Sequence, residues 1–336
     1  MKKIFSLILS VVMLLSIVSL AGCGKAQTLK FGMGVDSYIN NPTSAAADKN
    51  GSAEAVTAVA AVLLDNEGKI VKCVLDTAAN KLDYTAEGKF VETKEFKTKY
   101  EQGDAYGMKA YGGAKKEWYE QADAFAALVV GKTITDVKAL IATDGKGTED
   151  VINAGCTIYV SDFINSIEKA VNNAKESSAT ADDTLKLGLV STQTGCKDAT
   201  AEADGVNEVD TTVVASAVNK DGKVTATVTD AVQAKATFNA KGETKLEKSN
   251  PITTKKDAGA NYGMAQYGQD LNKDGTVKEW FEQAAAFDNA CVGKTADEIT
   301  KLAVDSGYGS EDLQTAGCTI HIGDMVKAAV KAATVK

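Results

Sequence analysis

Two stretches of this sequence share the same five residues, and this repetition limits the possible folds more than any other feature. Ala154–Ile158 is Ala-Gly-Cys-Thr-Ile, and Ala316–Ile320 repeats it letter for letter 162 positions later. A Lys-Glu-Trp sequence that begins at Lys116 likewise recurs at Lys278. The chain is therefore a tandem duplication, and each copy, of about 150 residues, has the size of an ordinary domain.

The extent of the two copies follows from the matched positions. Residues 28–174 are predicted to form the first repeat domain, and residues 185–336 are predicted to form the second. Lys175–Thr184 lacks large apolar residues, so this segment is predicted to be a linker. The second copy also carries a six-residue insertion before its tryptophan.

Each copy begins with the pattern of a β-hairpin. Runs rich in valine, alanine and threonine at 53–64 and 209–218 each lead through a glycine-containing turn into a second run, at 69–76 and 223–230. Such paired runs are typical of two antiparallel strands.

Helical periodicity follows the hairpins. Apolar residues recur in Trp118–Val129 and again in Trp280–Cys291 at intervals of four, three and four residues. Thr133 and Thr295 then begin capping boxes that predict the start of a further helix in each copy.

The repeated pentapeptide lies between these elements and a last helix in each copy. Cys156–Val160 and Cys318–Ile322 are predicted to be short strands, and the helices are predicted to start at Ser161-Asp162 and Gly323-Asp324. Strands first and helices afterwards predict an α+β fold that occurs twice.

The N-terminus has the layout of a bacterial lipoprotein signal. Lys2 and Lys3 precede an almost unbroken apolar run, and Leu20-Ala21-Gly22-Cys23 closes it. Residues 1–22 are therefore predicted to be a signal peptide. The Cys23 thiol is predicted to be diacylated, with residues 23–27 as anchor and tether. An ordinary signal peptide with an unrelated cysteine is the alternative.

Charge excludes one class of partner. The chain has 37 basic and 45 acidic residues and a formal net charge of −8, and loss of Lys2 and Lys3 makes the mature charge −10. None of the basic residues is an arginine. An acidic chain without arginine is a poor ligand for nucleic acid, and it has no bidentate clamp for phosphate.

Residue content also argues against a conventional enzyme. The chain has a single histidine, His321, and the corresponding position in the first copy is Tyr159. No Ser/His/Asp set or histidine metal cluster can therefore occur in both copies. Five cysteines remain after Cys23, none in a Cys-x-x-Cys pair, and most are predicted to be small buried apolar groups.

The Gly-Cys-Thr sequence has a structural interpretation that needs no ligand. Glycine permits a close approach of backbone, and threonine suits an extended strand, so the repeated turn could be a tight strand entry. In that case the protein would be a non-catalytic surface lipoprotein that binds a small ligand or a partner protein.

A family resemblance gives the threonines a second interpretation. The lipoprotein box, the tandem repeats and the tryptophan helix followed by a terminal small–small–Thr–helix segment together resemble the Gram-positive peptide-pheromone-encoding lipoproteins. Those proteins are flavin-carrying extracellular electron-transfer proteins. Their repeats resemble the FMN-binding domain, in which an FMN transferase esterifies flavin phosphate to the threonine of an Asp-x-x-(Ser/Thr)-Gly-Ala-Thr motif.

The motif is met in part. Gly155 and Thr157, like Gly317 and Thr319, occupy the Gly and Thr positions, whereas a cysteine replaces the alanine in both copies. An alanine replaces the Ser/Thr, and the aspartate position holds valine or leucine. A phosphoester requires one accessible hydroxyl, and a covalent bond replaces the phosphate clamp that the chain lacks. The loop residues implied to bind the cofactor are Thr157, Thr319, Gly155, Gly317, Cys156 and Cys318.

The resemblance thus implies a lipid-anchored electron-transfer protein on the outer face of the cell membrane, a redox carrier rather than a catalyst. FMN is the implied cofactor, and the implied partners are the membrane, the FMN transferase, a membrane electron donor and an external acceptor. Repeated aromatic residues could stack on the flavin or pack the core: Tyr106, Tyr111 and Trp118, with Tyr262, Tyr267 and Trp280.

The insertion in the second copy matches half of a calcium loop. Asp270, Asn272, Asp274 and the backbone of Thr276 fit positions 1, 3, 5 and 7, with a glycine at position 6. Position 12 holds Phe281 instead of a bidentate acid. A solvated turn is therefore the preferred interpretation, with weak calcium binding as the alternative.

Overall fold

The computed structural model describes residues 28–248, 250–267 and 277–334. The signal peptide, Cys23 and the calcium-loop positions Asp270, Asn272, Asp274 and Thr276 lie outside these ranges. The strands are β1 (Lys30–Thr43), β2 (Gly51–Leu64), β3 (Ile70–Tyr84), β4 (Lys175–Glu176), β5 (Thr184–Gln193), β6 (Gly205–Val218), β7 (Val224–Phe238) and β8 (Asn250–Pro251).

Helices follow the strands in each copy, which confirms the predicted α+β class. In the first copy they are α1 (Lys99–Gln102), α2 (Trp118–Val129), α3 (Ile134–Lys138), α4 (Glu149–Ala154) and α5 (Ser161–Asn172). In the second they are α6 (Lys255–Ala258), α7 (Trp280–Cys291), α8 (Ala296–Thr300), α9 (Glu311–Thr315) and α10 (Gly323–Ala333). Thr133 and Thr295 accept the predicted N-terminal capping bonds.

Each copy contains an antiparallel three-stranded meander. β1 pairs with β2 and β2 with β3, and the second copy repeats this arrangement with β5, β6 and β7. β2 and β6 are central strands with both faces covered, so nearly every side chain in their second halves is buried. The predicted hairpins are present, and their second strands continue beyond the predicted ends to Tyr84 and Phe238.

The outer face of each meander carries that copy's helices. In the first copy Val62, Leu64 and Ile70 pack with Trp118 and Phe125. The second copy buries the corresponding set around Trp280 and Phe287. The helical periodicity found in the sequence therefore marks the faces that pack on the sheet.

The inner faces of the two meanders pack against each other. One shared core contains Met33 and Val59 from the first copy with Leu189 and Val213 from the second. The molecule is thus four layers deep: helices, sheet, sheet, helices. The two copies of the repeat thus pack face to face within one chain.

Contacts across this sandwich are reciprocal. The Ala45 N–H donates to the Gly242 carbonyl at 2.8 Å, and the equivalent Ala199 N–H donates to the Gly88 carbonyl at 2.7 Å. Tyr84 stacks on its own counterpart, Phe238, with ring centroids 4.5 Å apart and planes 9° apart. Each patch therefore meets its equivalent, as in a two-fold symmetric dimer.

Each copy also extends an arm along the edge strand of the other. The first arm (residues 90–96) follows β3, and its Thr93 N–H donates to Gln193 Oε1 on β5 at 2.8 Å. The second arm (residues 244–248 and 250–252) follows β7, contains β8 and pairs with β1 at Tyr38. Its Ile252 N–H donates to the Ser37 carbonyl at 2.9 Å. The arms are exchanged between the copies.

The segment predicted as a linker packs against the sandwich. Its first residues form β4, which pairs with the start of β1, and the Leu29 N–H donates to the Ala179 carbonyl at 2.8 Å. Ala179 is fully buried in the shared core. Within the described residues, no helix has the length and apolar character needed to cross a membrane.

Candidate cofactor-attachment site

Each repeated pentapeptide forms the end of a short helix rather than the start of a strand. Gly155 follows α4 with a left-handed φ of 100°, and Gly317 has a φ of 103°. The Cys156 N–H returns to the Val151 carbonyl at 3.1 Å, which closes the helix end. The prediction of a strand over 156–160 was wrong, because this extended segment makes a single β-bridge, between Tyr159 and Lys146. The segment 318–322 likewise makes one bridge, at His321.

The side chains of the pentapeptide alternate between core and solvent. Cys156 and Cys318 are fully buried in the helical cores, whereas Thr157 and Thr319 are exposed. Burial raises the pKa of each of these thiols to about 11, so they stay protonated at neutral pH. The cysteines therefore anchor the loop, and the threonine hydroxyl is the group that the loop presents to solvent.

A buried glutamine holds each threonine. Gln121 Oε1, on α2, accepts the Thr157 N–H at 2.8 Å and the Thr157 hydroxyl at 3.0 Å. Gln283 on α7 makes the same two contacts with Thr319, at 2.8 and 3.1 Å. The Gln121 amide donates to the Lys116 carbonyl at 3.0 Å, so donors surround the oxygen and an acceptor faces the nitrogen. The glutamine fixes both the loop backbone and the direction of the hydroxyl.

A lysine lies over the glycine of each loop. A Cβ placed on Gly155 would collide with Lys116 Nζ, and one placed on Gly317 would collide with Lys278 Nζ. Lys278 Nζ also donates to the Ala316 carbonyl at 3.3 Å. Glycine is therefore favoured by its left-handed φ, and the flexible end of the lysine fills the space that a Cβ would occupy. The lysine places a positive charge two residues before the hydroxyl.

A carboxylate beside the glutamine fixes the loop that precedes α2. Glu117 is buried and accepts the Met108 N–H at 2.8 Å and the Lys109 N–H at 3.1 Å. Glu279 accepts the Met264 N–H at 3.0 Å in the second copy. The Lys-Glu-Trp-x-x-Gln sequence thus supplies the lysine, the carboxylate and the glutamine of one arrangement.

The repeated aromatic residues divide into two groups. Trp118 and Trp280 are buried, and Trp118 packs edge-on against Phe163 at 5.7 Å. Tyr106 is partly buried, and Lys99 Nζ lies 5.4 Å from its ring centroid and 5.7 Å from that of Trp118. Lys255, Tyr262 and Trp280 repeat this cluster. Tyr111 and Tyr267 are exposed and lie away from the core.

A groove of about 680 Å³ opens beside the first threonine loop. Ile158 and Tyr159, directly after Thr157, form part of its wall, with Tyr106 and Trp118 from the cation–π cluster. Tyr38 donates to Asp162 Oδ2 at 2.7 Å at the far side. Burial, followed by this carboxylate, raises the pKa of Tyr38, which therefore remains a neutral donor. This volume lies within the roughly 300–1,000 Å³ typical of ligand pockets.

The residues found here test whether flavin phosphate fits the loops. Thr157 is an exposed residue, the glycine two positions before it has no Cβ, and a lysine ammonium lies over that glycine. Loss of the hydroxyl hydrogen in an ester leaves Gln121 Oε1 with the Thr157 N–H as its donor. The loop is therefore compatible with a phosphoester at Thr157, and the same holds at Thr319.

Sequence reasoning singled out the threonines and glycines but missed the glutamines and the lysines. Both missed pairs lie in the repeated Lys-Glu-Trp-x-x-Gln sequence. The repetition of that sequence is the signal that could have identified them. His321 is exposed, and its ring meets Tyr308 edge-on at 5.5 Å. Among the described residues, no group of His, Cys, Asp or Glu could hold a metal ion.

Comparison with known proteins gives one partial likeness. A chlorophenol reductase of Desulfitobacterium hafniense is 36% identical over 96 residues, which cover 25% of this chain and 29% of the reductase. The match thus spans less than a third of that protein's length. No protein-family profile matches the chain, and no solved structure shows significant similarity to it.

Proposed function

We propose that this protein is a lipid-anchored electron-transfer protein of the cell surface that carries FMN on Thr157 and Thr319. The observation that carries the proposal is the duplicated arrangement of an exposed threonine, a buried glutamine that orients its hydroxyl, and a lysine over the neighbouring glycine. Two copies of the chain have diverged around this arrangement and kept it. The likeness to a protein named as a reductase is in keeping with a redox role.

Attachment is a phosphoryl transfer in which the threonine is the nucleophile. The hydroxyl oxygen attacks the flavin-side phosphorus of a flavin dinucleotide, an Oγ–P bond forms, and the phosphoanhydride bond breaks with a nucleoside monophosphate as leaving group. The transferase supplies the base that takes the hydroxyl proton. Gln121 accepts from this hydroxyl in the free loop, and Lys116, whose ammonium lies over Gly155, would offset negative charge on the phosphate.

Bound FMN would supply one- and two-electron transfer, and the protein would supply its position. The membrane electron donor and the external acceptor are partners of the proposed carrier. Diacylation of Cys23 would hold the folded part beside the donor.

Intact mass tests the attachment. The mature protein is produced together with an FMN transferase, and a domain with the complete Asp-x-x-Ser-Gly-Ala-Thr motif serves as a positive control for transferase activity. We expect two FMN-phosphoryl increments, one in each single Thr157→Val or Thr319→Val variant, and none in the double variant. An unmodified mass alongside a flavinylated control would overturn the proposal in favour of a non-redox surface lipoprotein.

Fractionation tests the anchor. The Cys23→Ser variant should leave the membrane fraction, because the lipid is its attachment. Its persistence in the membrane fraction of a detergent-free lysate would contradict the lipoprotein assignment.

A further inference from the structure

The groove beside Thr157 is built by both copies of the repeat. Its floor and one wall come from the first copy, through Tyr38 on β1 and Tyr159 after the threonine loop. Lys248 and Pro251 of the second arm also line the groove. Backbone pairing of Pro251 with Tyr38, and the 2.9 Å bond from the Ile252 N–H to the Ser37 carbonyl, hold that arm in place.

The chemistry of the groove suits a planar aromatic ligand with polar edges. The exposed Tyr159 supplies an apolar ring face, Tyr106 and Trp118 lie next to the Lys99 ammonium, and Ser161, Asn165 and the Tyr38 hydroxyl supply polar groups. Lys99 and Lys248 add two ammonium groups. Asp36 and Asp162 are the carboxylates, and both are engaged: Asp36 by Lys169 and Asn165, and Asp162 by Tyr38.

We propose that this groove binds the isoalloxazine ring of the flavin carried on Thr157, and that the second copy's arm completes the site. This inference rests on the proposed function. Ile158 and Tyr159 connect the attachment residue directly to the groove, so the ring need not leave the surface of its own loop. The first site then cannot form from residues 28–174 alone, because Lys248 and Pro251 belong to the other copy.

The second copy has a groove under the opposite arm, but the residues that follow Thr319 do not line it. The first arm lines a groove of about 760 Å³ along β5, and Lys94 occupies the position equivalent to Lys248. Thr192 replaces Tyr38, because its hydroxyl donates to Asp324 Oδ2 at 2.9 Å as Tyr38 donates to Asp162, and His321 stands at the position of Tyr159. The surroundings of the two threonine loops therefore differ, and Lys94 is a counterpart of Lys248 that does not line the groove beside Thr157.

The test uses the full mature chain with one flavin. In the Thr319→Val background, flavin occurs on Thr157 alone, and Lys248→Glu is compared with the matched control Lys94→Glu. Reversal of charge beside the ring opposes the gain of electrons, so Lys248→Glu should shift the flavin midpoint potential to a more negative value. Lys94→Glu should leave it unchanged.

Flavin fluorescence gives a second readout. Contact with an aromatic ring quenches flavin emission, so Tyr159→Ala should increase emission in the Thr319→Val background, whereas the matched His321→Ala should not. Intact mass first establishes one FMN increment in every variant. If that increment is present and neither potential nor emission responds to Lys248→Glu or Tyr159→Ala, the groove proposal is wrong and the carrier function stands. If no increment is found with an active transferase, both proposals fall.

Discussion

Gln121 and Gln283 each tie a threonine loop to the body of its repeat through one oxygen atom. That oxygen accepts the backbone N–H and the hydroxyl together, so removal of the hydroxyl leaves it with a donor. Removal of the glutamine leaves more groups without a hydrogen-bond partner, namely the threonine N–H and the lysine carbonyl that the amide contacts. The two changes therefore differ in their cost to folding.

We expect Thr157→Val to change the free energy of unfolding by less than about 1 kcal/mol and Gln121→Leu to lower it by about 1–3 kcal/mol. Valine keeps the shape of threonine, whereas leucine cannot accept from the loop backbone. Thr319→Val and Gln283→Leu form the matched pair in the second copy. Urea unfolding measures all four variants, and an equal loss from Thr157→Val and Gln121→Leu would show that the hydroxyl is structural.

Asp76 on β3 and its counterpart Asp230 on β7 are buried, and each accepts a backbone N–H from the first helix of its copy. Burial raises the pKa of each carboxyl to about 6, against the opposing effect of hydrogen bonds from threonine and from backbone N–H groups. An unfolded aspartate titrates near pH 3.9. Each native carboxyl thus holds its proton to a higher pH, and its contribution to stability, complete below about pH 4, is lost as the pH rises through about 6.

The free energy of unfolding of the Asp76→Asn and Asp230→Asn variants, relative to the wild type, should therefore increase as the pH rises. Asparagine keeps an acceptor for the N–H groups that reach Asp76, from Thr77 at 2.6 Å and Tyr100 at 3.2 Å. Stability should match the wild type at about pH 4 and exceed it at pH 7 by up to about 3 kcal/mol for each site. Urea unfolding between pH 4 and 7 measures the difference, and a constant difference across that range would contradict the expectation.

At the scale of single elements, sequence periodicity located the hairpins and amphipathic helices but missed β1 and β5. These strands contain Gly32, Gly34 and Gly188, and glycine weakens the alternating pattern by which a strand is recognised. The structure gives the reason for the glycines. A Cβ on Gly34 would overlap the Ser166 carbonyl of α5, and one on Gly188 would overlap the Ala328 carbonyl of α10. The missing side chains admit the last helix of each copy.

Gly188→Ala should lower the free energy of unfolding by about 1–3 kcal/mol or more, because a rigid helix backbone must move to admit the methyl group. Gly222→Ala is a suitable comparison, since Gly222 has a φ of 73° with open space around it. That variant should lose about 1 kcal/mol through backbone strain alone. If Gly222→Ala lowers stability as much as Gly188→Ala does, the role of Gly188 is not to allow close packing of α10 on β5.

The threonine loop shows a second limit of prediction from local patterns. Gly-Cys-Thr suits a strand entry by composition, yet Gly155 ends α4 and the following residues run extended beside a core that fixes Cys156. The threonine was identified because it is repeated and because it resembles a known motif. Gln121 and Lys116 are also repeated, but their partner is 36 or more residues away, and only the folded chain brings them together.

At the scale of the whole molecule, the duplication could be predicted and the arrangement of the copies could not. The inner faces carry ordinary alternating apolar residues, and nothing in that pattern states whether they meet a helix, a second sheet or another chain. In the structure they meet each other, and both arms cross the boundary. Stability should therefore be a property of the pair.

Unfolding should occur in one cooperative transition. The chain has two tryptophans, one buried in each copy. Trp118→Phe therefore leaves a single fluorescent reporter in the second copy, and Trp280→Phe leaves one in the first. In each variant, the urea transition followed by fluorescence of the remaining tryptophan should have the same midpoint and slope as the transition followed by circular dichroism. The two variants should also agree with each other after correction for the cost of each substitution. Two separated transitions in one variant would mean that the copies fold independently.

The exchanged arms have an evolutionary consequence. A chain with one repeat would have an uncovered inner sheet face and an arm with no edge strand to follow, and a second copy of the same chain supplies both. The reciprocal bonds between Ala45 and Gly242 and between Ala199 and Gly88 retain that two-fold relation after the copies have diverged. The chain thus has the arrangement of a homodimer whose two subunits are joined, and within one chain each half can have its own surroundings for its threonine.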